Sequence, residues 1–248
     1  MSVGDGRHAA SFMGPETERV GEGAAETVPA ATVAIRVVDL VKTYPVEGGS
    51  RRVLDGISFS VGAGEKIAVL GRNGAGKSTL VRLLAGIEEP TSGQVLRTMR
   101  MSWPIALSSG FGGSMTGHDC IRFLARIYDR PFAEMLDAVE TFAELGKYMR
   151  MPIKTFSSGM RARLAFGLSL AIDFDCYLID EVISVGDQKF QSKSFEELFV
   201  KRRDKAMVIV SHNYDIIDQY CSSALVLRDG RGRVFTDIRL AFDIYASL

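Results

Sequence analysis

The nine residues GRNGAGKST, from Gly71 to Thr79, have the types and spacing of a phosphate-binding loop. They follow the apolar run KIAVL and precede the helix-forming run TLVRLLAG, so they join a strand to a helix. Glycines let main-chain N–H groups converge on phosphate oxygens, and the helix N-terminus adds partial positive charge. Lys77 is predicted to reach the β- and γ-phosphates, and Ser78 to hold Mg²⁺. The residues predicted to contact nucleotide here are Gly71, Arg72, Asn73, Gly74, Ala75, Gly76, Lys77, Ser78 and Thr79.

The base of this nucleotide is predicted to be adenine. The chain lacks the [NT]KxD segment that GTPases use to bind guanine. Tyr44 lies upstream of the loop and is predicted to stack on adenine; the alternative is an aromatic at a strand end that packs on the core. We therefore expect ATP as the cofactor.

Two apolar runs end in residues that could act on the phosphates. CYLIDE ends in Asp180 and Glu181, and ligands bind beyond the carboxyl ends of strands in parallel sheets. Asp180 is predicted to hold Mg²⁺, and Glu181 to orient or activate the attacking water; the alternative is that two acids simply end a strand at the surface. VIVSHN ends near His212, which is predicted to contact the γ-phosphate, although a lone histidine is more often structural.

A second phosphate-binding helix start is predicted in KTFSSGM. Ser157, Ser158 and Gly159 would place hydroxyls and N–H groups at a helix N-terminus. One nucleotide cannot easily be reached by both sites of one subunit, so a head-to-tail pair of subunits is the economical solution. Asp187, in SVGD, would on its own be interpreted as a turn residue.

The elements that must position these residues alternate between strand and helix, which predicts an α/β fold with a mixed sheet. Residues 1–32 carry almost no apolar periodicity and are predicted to be a disordered tail. One domain is expected over 33–248, with an inserted helical subdomain at about 113–172. A helix over 158–172, a hairpin in ALVLRDGRGRVF and a short last helix are also predicted.

Composition excludes several classes of protein. With 30 basic and 30 acidic residues, no bulk electrostatic attraction to nucleic acid or anionic lipid is expected. The short basic clusters at 51–52 and 201–203 are interpreted as solvated surface, and the alternative is a contact with phosphate or lipid. No run of 18 apolar residues and no secretory signal is found. An odd number of unpaired cysteines, Cys120, Cys176 and Cys221, suits a reducing compartment, with the thiols as apolar fillers.

The motifs GRNGAGKST, FSSGM, CYLIDE, SVGD and VIVSHN, in this order, resemble the ATP-binding subunit of an ABC transporter over 33–248. The resemblance implies the P-loop NTPase fold of ABC ATPases, with an antiparallel β subdomain. It also implies that Ser157 and Gly159 contact the γ-phosphate held by a second copy of the chain. In that family Asp187 would take the D-loop role, His212 the switch role and Tyr44 the adenine-stacking role.

Longer segments resemble the subfamily that energises capsular polysaccharide export. They are MSWPIALSSGFGGSMTG, FAELGKYMRMPIKTFSSGMRARLAFGLSLA and DEVISVGD. This resemblance implies a homodimer on the cytoplasmic face of the inner membrane that docks on a separate integral membrane permease. No residue is assigned to direct contact with polysaccharide. The alternatives are export of an O-antigen or teichoic-acid polymer, a soluble P-loop kinase or regulatory ATPase without a membrane partner, or a non-transport ABC protein of translation or DNA repair.

One position departs from the family pattern, and one aromatic has two interpretations. Gly112 stands where the glutamine of the Q-loop is expected, which predicts weakened coupling to the permease rather than lost nucleotide binding. Trp103 either contacts the membrane partner or packs in the core. The helical segment over 117–150 is expected to pack on the core with one face and to meet the partner with the other.

Overall fold

The computed structural model describes residues 33–105, 112–180 and 187–248. The predicted disordered tail over 1–32 lies outside the described residues. The strands are β1 (Val33–Val46), β2 (Gly49–Gly62), β3 (Lys66–Gly71), β4 (Ser92–Arg97), β5 (Met101–Pro104), β6 (Cys176–Asp180), β7 (Ala206–Val210), β8 (Ser223–Arg228) and β9 (Arg231–Phe235). The helices are α1 (Lys77–Leu84), α2 (Gly117–Ile127), α3 (Phe132–Ala143), α4 (Ser158–Leu170), α5 (Gln188–Phe195), α6 (Tyr214–Tyr220) and α7 (Ile238–Ala246).

The described strands form two sheets. An antiparallel sheet has the order β2-β1-β4, and a mixed sheet has the order β5-β6-β7-β3-β8-β9, in which only β9 runs antiparallel to its neighbour. The main-chain N–H of Asp55 donates to the carbonyl of Gly230 at 2.8 Å and ties β2 to the β8–β9 hairpin. The two sheets and the helices confirm the predicted fold class.

The central strands are continuous apolar runs because both of their faces are covered. Side chains alternate along a strand, so Ile67 and Val69 of β3 face a core shared with α1 and the antiparallel sheet. Ala68 and Leu70 of the same strand face a second core, which the other described helices cover. Hence the mixed sheet divides the apolar interior into two layers.

The helices between β5 and β6 carry the FSSGM motif. Thr116 begins α2 with a capping box, because its Oγ1 accepts from the Asp119 N–H while the Asp119 carboxylate accepts from the Thr116 N–H. Two 3₁₀ turns, Gly146–Arg150 and Ile153–Thr155, then lead into α4. From Leu164 onward the residues of α4 are buried, so its C-terminal half is a core helix while its N-terminal tip is exposed.

Several sequence expectations can now be compared with the structure. The predicted hairpin and last helix are present as β8–β9 and α7, and the helix predicted over 158–172 ends at Leu170. Trp103 packs edge-on against Phe174, with ring centroids 5.4 Å apart, so the core interpretation of this residue is supported. Two helices, α5 and α6, had no counterpart among the predicted elements.

All three cysteines are buried, as expected for apolar fillers. Burial raises the pKa of Cys120, Cys176 and Cys221 to about 12. Each thiol is therefore neutral at physiological pH and a poor nucleophile.

Candidate nucleotide site

Three parallel strands bring the predicted site residues to one edge of the mixed sheet. Val210, the last residue of β7, is in register with Val69 of β3 on one side and with Asp180 of β6 on the other. Gly71 and His212 lie just beyond these positions. Residues far apart in the chain therefore meet at the carboxyl edge, where ligands bind in such sheets.

The lysine of the glycine-rich loop points into the loop. Lys77 is the first residue of α1 and is only 8% exposed. Its ammonium group donates to the carbonyl oxygens of Gly71, at 2.6 Å, and Arg72, at 3.3 Å. A buried ammonium needs acceptors, and these carbonyls hold it inside the loop. A phosphate oxygen entering the loop would be a charge-assisted, stronger acceptor for the same group.

Gly76 has to be glycine because of both its backbone and its neighbours. Its φ of +104° lies in the left-handed region, which side-chain-bearing residues rarely adopt. A Cβ atom here would lie 2.6 Å from Leu54 Cδ2 and 3.1 Å from the carbonyl oxygen of Val53. Strand β2 therefore packs directly on the loop where α1 begins, and this packing sets the shape of the loop.

A cavity of about 430 Å³ opens beside the loop. It is lined by Arg51, Val53, Asn73, Gly74, Gly76, Lys77, Ser78, Thr79 and Asp180. Ser78 and Asp180 bring a hydroxyl and a carboxylate to this one cavity, and both are oxygen ligands of the kind that Mg²⁺ prefers. The donor set therefore fits a Mg²⁺ ion whose other ligands come from water and phosphate.

Arg51 lines the cavity, although it is not among the predicted site residues. Its exposure agrees with the solvated-surface interpretation of the 51–52 cluster, and its place at the cavity suits the alternative, a phosphate contact. It reaches this place because β1 and β2 form a hairpin in which Arg51 is paired with Tyr44. The pairing of residues across the β1–β2 hairpin, counted from Tyr44, is the signal that could have placed Arg51 near the nucleotide.

Tyr44 lies in a polar cluster next to the cavity and does not line it. Its hydroxyl donates to the carboxylate of Glu88, and the ammonium of Lys42 lies 5.0 Å from its ring centroid. Burial raises the pKa of Glu88, but hydrogen bonds from Tyr44, Arg82 and Lys42 outweigh burial, and the pKa is lowered. Arg82 also donates to Thr79 Oγ1 at 3.3 Å, which joins the cluster to the cavity. Stacking of Tyr44 on adenine stays a prediction.

His212 contacts a residue that was not predicted from the sequence to be near the site. The hydroxyl of Tyr245, in α7, lies 2.8 Å from His212 Nδ1. The two rings are stacked, with centroids 5.9 Å apart and planes 28° apart. The imidazole is therefore oriented from its Nδ1 side.

The FSSGM motif forms an exposed helix tip. Ser157 is the N-cap of α4, and its Oγ accepts from the N–H of Met160 at 3.2 Å. Ser157 and Ser158 are exposed, and a Cβ added at Gly159 would meet only Ser157 Oγ, at 4.0 Å. Within the described part of the chain, none of these three residues lines the cavity beside Lys77. One subunit therefore does not bring its two predicted phosphate sites together.

Asp187 is the N-cap of α5. Its carboxylate accepts from the N–H of Phe190 at 2.9 Å and from the guanidinium of Arg163 at 2.5 Å. The Phe190 N–H is the largest cause that lowers the pKa of Asp187, and the charge of Arg163 adds to it. Asp187 is thus engaged within its own subunit, and its D-loop role stays a prediction.

Glu181, the predicted catalytic carboxylate, lies outside the described residues. Among the residues that the structure does describe, no group of three His, Cys, Asp or Glu side chains could hold a metal ion by protein ligands alone. A bound Mg²⁺ would therefore depend on phosphate and water for most of its ligands. None of the described helices is long and apolar enough to cross a lipid bilayer.

The sheet order, the glycine loop with its inward lysine and the carboxylate at the adjacent strand end define a P-loop nucleotide-binding cassette. The profile of the ABC transporter family matches residues 54–184. The chain is 51% identical over 214 residues to the capsule polysaccharide export ATP-binding protein CtrD of Neisseria meningitidis, covering 86% of this chain and 99% of that protein. The chain belongs to the ABC transporter family.

Two further comparisons agree with this assignment. The polysialic acid transport ATP-binding protein KpsT of Escherichia coli is 44% identical over 215 residues, covering 85% of this chain and 98% of that protein. A dimeric, post-hydrolysis structure of the ATP-binding cassette MJ0796, bound to ADP and Pi, superimposes with a TM-score of 0.68 at 19% identity. It covers 81% of this chain and 97% of that one. The latter likeness is one of fold.

Proposed function

We propose that this chain is the ATP-hydrolysing subunit of a transporter that exports capsular polysaccharide across the inner membrane. The buried ammonium of Lys77, in a glycine loop that shares one cavity with Ser78 and Asp180, is the observation that carries the nucleotide chemistry. Capsule export is supported by the match over 99% of CtrD and by the match to KpsT, a polysialic acid transport protein. An O-antigen or teichoic-acid polymer is the alternative cargo.

The residues around the cavity act by position and charge. Lys77 exchanges its loop carbonyls for phosphate oxygens. Ser78 and Asp180 would hold Mg²⁺, which would supply positive charge against the phosphates. Glu181 accepts a proton from the attacking water, and His212 donates a hydrogen bond to the γ-phosphate. Tyr44 supports the adenine ring.

The second half of the site comes from another copy of the chain. The tip of α4, at Ser157, Ser158 and Gly159, is an exposed helix N-terminus of the kind that binds anions, yet it does not line its own subunit's cavity. A head-to-tail dimer places each tip on the nucleotide of the other subunit. Closure on ATP and opening after hydrolysis then give the mechanical cycle.

The membrane partner is proposed to dock on the helical segment. Phe123 and Ile127 lie one turn apart on α2 and are 51% and 57% exposed. Such an apolar pair gains stability when another protein covers it. This docking places the chain at the cytoplasmic face of the inner membrane. If the chain has no permease partner, the alternative function applies, which is that of a soluble P-loop ATPase.

Co-purification tests the docking. The chain is co-expressed with a candidate integral membrane permease, and the complex is isolated through a tag on that protein. Phe123→Asp combined with Ile127→Asp is expected to abolish co-purification. Val200→Asp, at a residue 55% exposed on the turn after α5, is the matched control and should co-purify. Equal recovery of both variants would contradict docking through α2.

Hydrolysis and export are tested separately. Glu181→Gln is expected to bind ATP, to form a stable dimer and to lose hydrolysis. In a strain lacking the chain, Lys77→Ala should leave capsular polymer inside the cell, whereas the unaltered chain should restore it to the surface. Full hydrolysis by Glu181→Gln would remove that residue from the mechanism, and surface polymer without any copy of the chain would refute the export function.

A further inference from the structure

Helix α7 and the residues that follow it contact two parts of the proposed nucleotide site from outside the cavity. The hydroxyl of Tyr245 lies 2.8 Å from His212 Nδ1. Two residues after α7 ends, the main-chain oxygen of Leu248 accepts from the guanidinium of Arg72, in the glycine-rich loop, at 2.8 Å. The C-terminal segment therefore connects the loop that binds phosphate with the histidine proposed to contact its last phosphate.

Ring packing limits the positions that the Tyr245 hydroxyl can take. Its ring lies against Phe242, with centroids 6.0 Å apart and planes at 87°, and Phe242 packs edge-on against Tyr214 at 4.7 Å. Tyr245 is half-buried against the core layer that the helices cover. A hydroxyl held in this way can set the orientation and protonation of the ring it contacts.

A neutral imidazole has one N–H donor and one acceptor nitrogen, and the partner of one nitrogen selects the role of the other. When a hydroxyl donates to Nδ1, the ring proton resides on Nε2. A phosphate oxygen is an acceptor only, so it can bind His212 through Nε2–H and not through a bare Nε2. The opposite tautomer, with its proton on Nδ1, would present a lone pair to the phosphate.

We propose that Tyr245 is a positioning residue for His212. Its hydroxyl donates to Nδ1, holds the imidazole proton on Nε2 and aims that N–H at the γ-phosphate. The proposal deepens the proposed function, because it rests on the contact assigned there to His212. In this role Tyr245 does not bind the nucleotide, and it acts only through the histidine.

The tautomer can be measured directly in the full chain. The sequence contains three histidines, so ¹⁵N-histidine labelling gives few signals, and His212→Gln identifies the one of interest. Long-range ¹H–¹⁵N spectra at a pH where the ring is neutral separate a protonated Nε2 from a protonated Nδ1. The unaltered chain is expected to show the proton on Nε2, and Tyr245→Phe to show a mixture. A proton on Nδ1 in the unaltered chain overturns the proposal.

Kinetics give the second readout, with Tyr214→Phe as the matched control. Tyr214 also lies against Phe242, and its hydroxyl contacts Asp218 at 3.2 Å within α6. For Tyr245→Phe, we expect kcat for ATP hydrolysis to fall roughly five- to tenfold, the factor for one ordinary neutral hydrogen bond, with KM within about twofold. Tyr214→Phe should keep both constants and the Nε2 tautomer.

These readouts separate failure of the inference from failure of the proposed function. Full hydrolysis by His212→Ala, which leaves no donor in place of Nε2–H, would show that His212 does not contact the γ-phosphate, whatever its tautomer. If His212→Ala is inactive while Tyr245→Phe keeps full kcat, the histidine acts without the help of Tyr245. An equal loss of kcat in Tyr245→Phe and Tyr214→Phe would also contradict the proposal, because it would trace the effect to packing around Phe242.

Discussion

The helix tip at Ser157 allows a role in folding to be separated from a role in catalysis. Its Oγ accepts one hydrogen bond, from the N–H of Met160 at 3.2 Å. Ser157→Ala removes this cap, which costs about 1 kcal/mol of unfolding free energy. In a chain of this size, that loss lowers the Tm by roughly 2–4 °C.

Ser157→Asp keeps the cap, because aspartate is as good an N-cap as serine and its charge suits the helix N-terminus. Its stability should therefore equal or exceed that of the unaltered chain. In the proposed dimer, however, the carboxylate would face the triphosphate of the other subunit. Two like unit charges about 4 Å apart, at an effective dielectric constant of about 20, repel by roughly 4 kcal/mol. Hydrolysis should then fall about a thousandfold.

Urea unfolding and steady-state ATP hydrolysis test this pair of expectations. Thr116→Ala is the matched control, because Thr116 caps α2 through the same kind of bond, 3.1 Å from the N–H of Asp119. It should lose about 1 kcal/mol of stability and keep its activity well below the Tm. If Ser157→Asp hydrolyses ATP at the rate of the unaltered chain, the tip is only a helix cap and does not meet a partner's nucleotide.

Three further predictions concern glycine and cysteine positions. Gly76→Ala should lose about 2–5 kcal/mol of unfolding free energy in urea, because the added Cβ causes both backbone strain and overpacking. Gly74→Ala has no atom within 4 Å of the added Cβ, so it should lose only the part that comes from strain. Equal losses would contradict the packing of β2 on the loop. Because burial raises the pKa of the three thiols to about 12, Ellman's reagent at a mildly alkaline pH should label none in the folded chain and all three after unfolding; rapid labelling of the folded chain would refute their burial. Gly112→Gln should fold normally, since no atom lies within 4 Å of its Cβ, and it should strengthen stimulation of hydrolysis by the permease; unchanged coupling would remove the idea that Gly112 weakens it.

Local patterns in the sequence predicted the strands and the loop that build the site. CYLID and AMVIV are β6 and β7, because short apolar runs bounded by polar residues are typical of strands buried on both faces. The glycine loop needed only its own residues and its flanks to be recognised. Since parallel strands end at one edge, the sequence was also sufficient to place Asp180 and His212 near the loop.

Contacts made by packing could not be predicted in the same way. Tyr245 meets His212 only because α7 packs against β8 and α6, and no local spacing encodes that approach. Arg51 reaches the cavity through a hairpin register that contains several irregularities. The seven residues of α6 were too few for a clear period, although the cap by Asn213, which accepts from the N–H of Ile216, was a usable signal.

The double pairing of Val210 has a consequence for how this chain can vary. Because Val210 is in register with both Val69 of β3 and Asp180 of β6, it aligns the ends of these two strands. It therefore aligns the start of the glycine loop with the segment that follows Asp180. A single inserted residue within β7 would advance His212 by about 3.3 Å and exchange the layers to which its neighbours belong. Insertions and deletions are therefore tolerable in the surface turns around this strand but not inside it. The number of residues from Ala206 to His212 determines where His212 lies relative to the glycine loop.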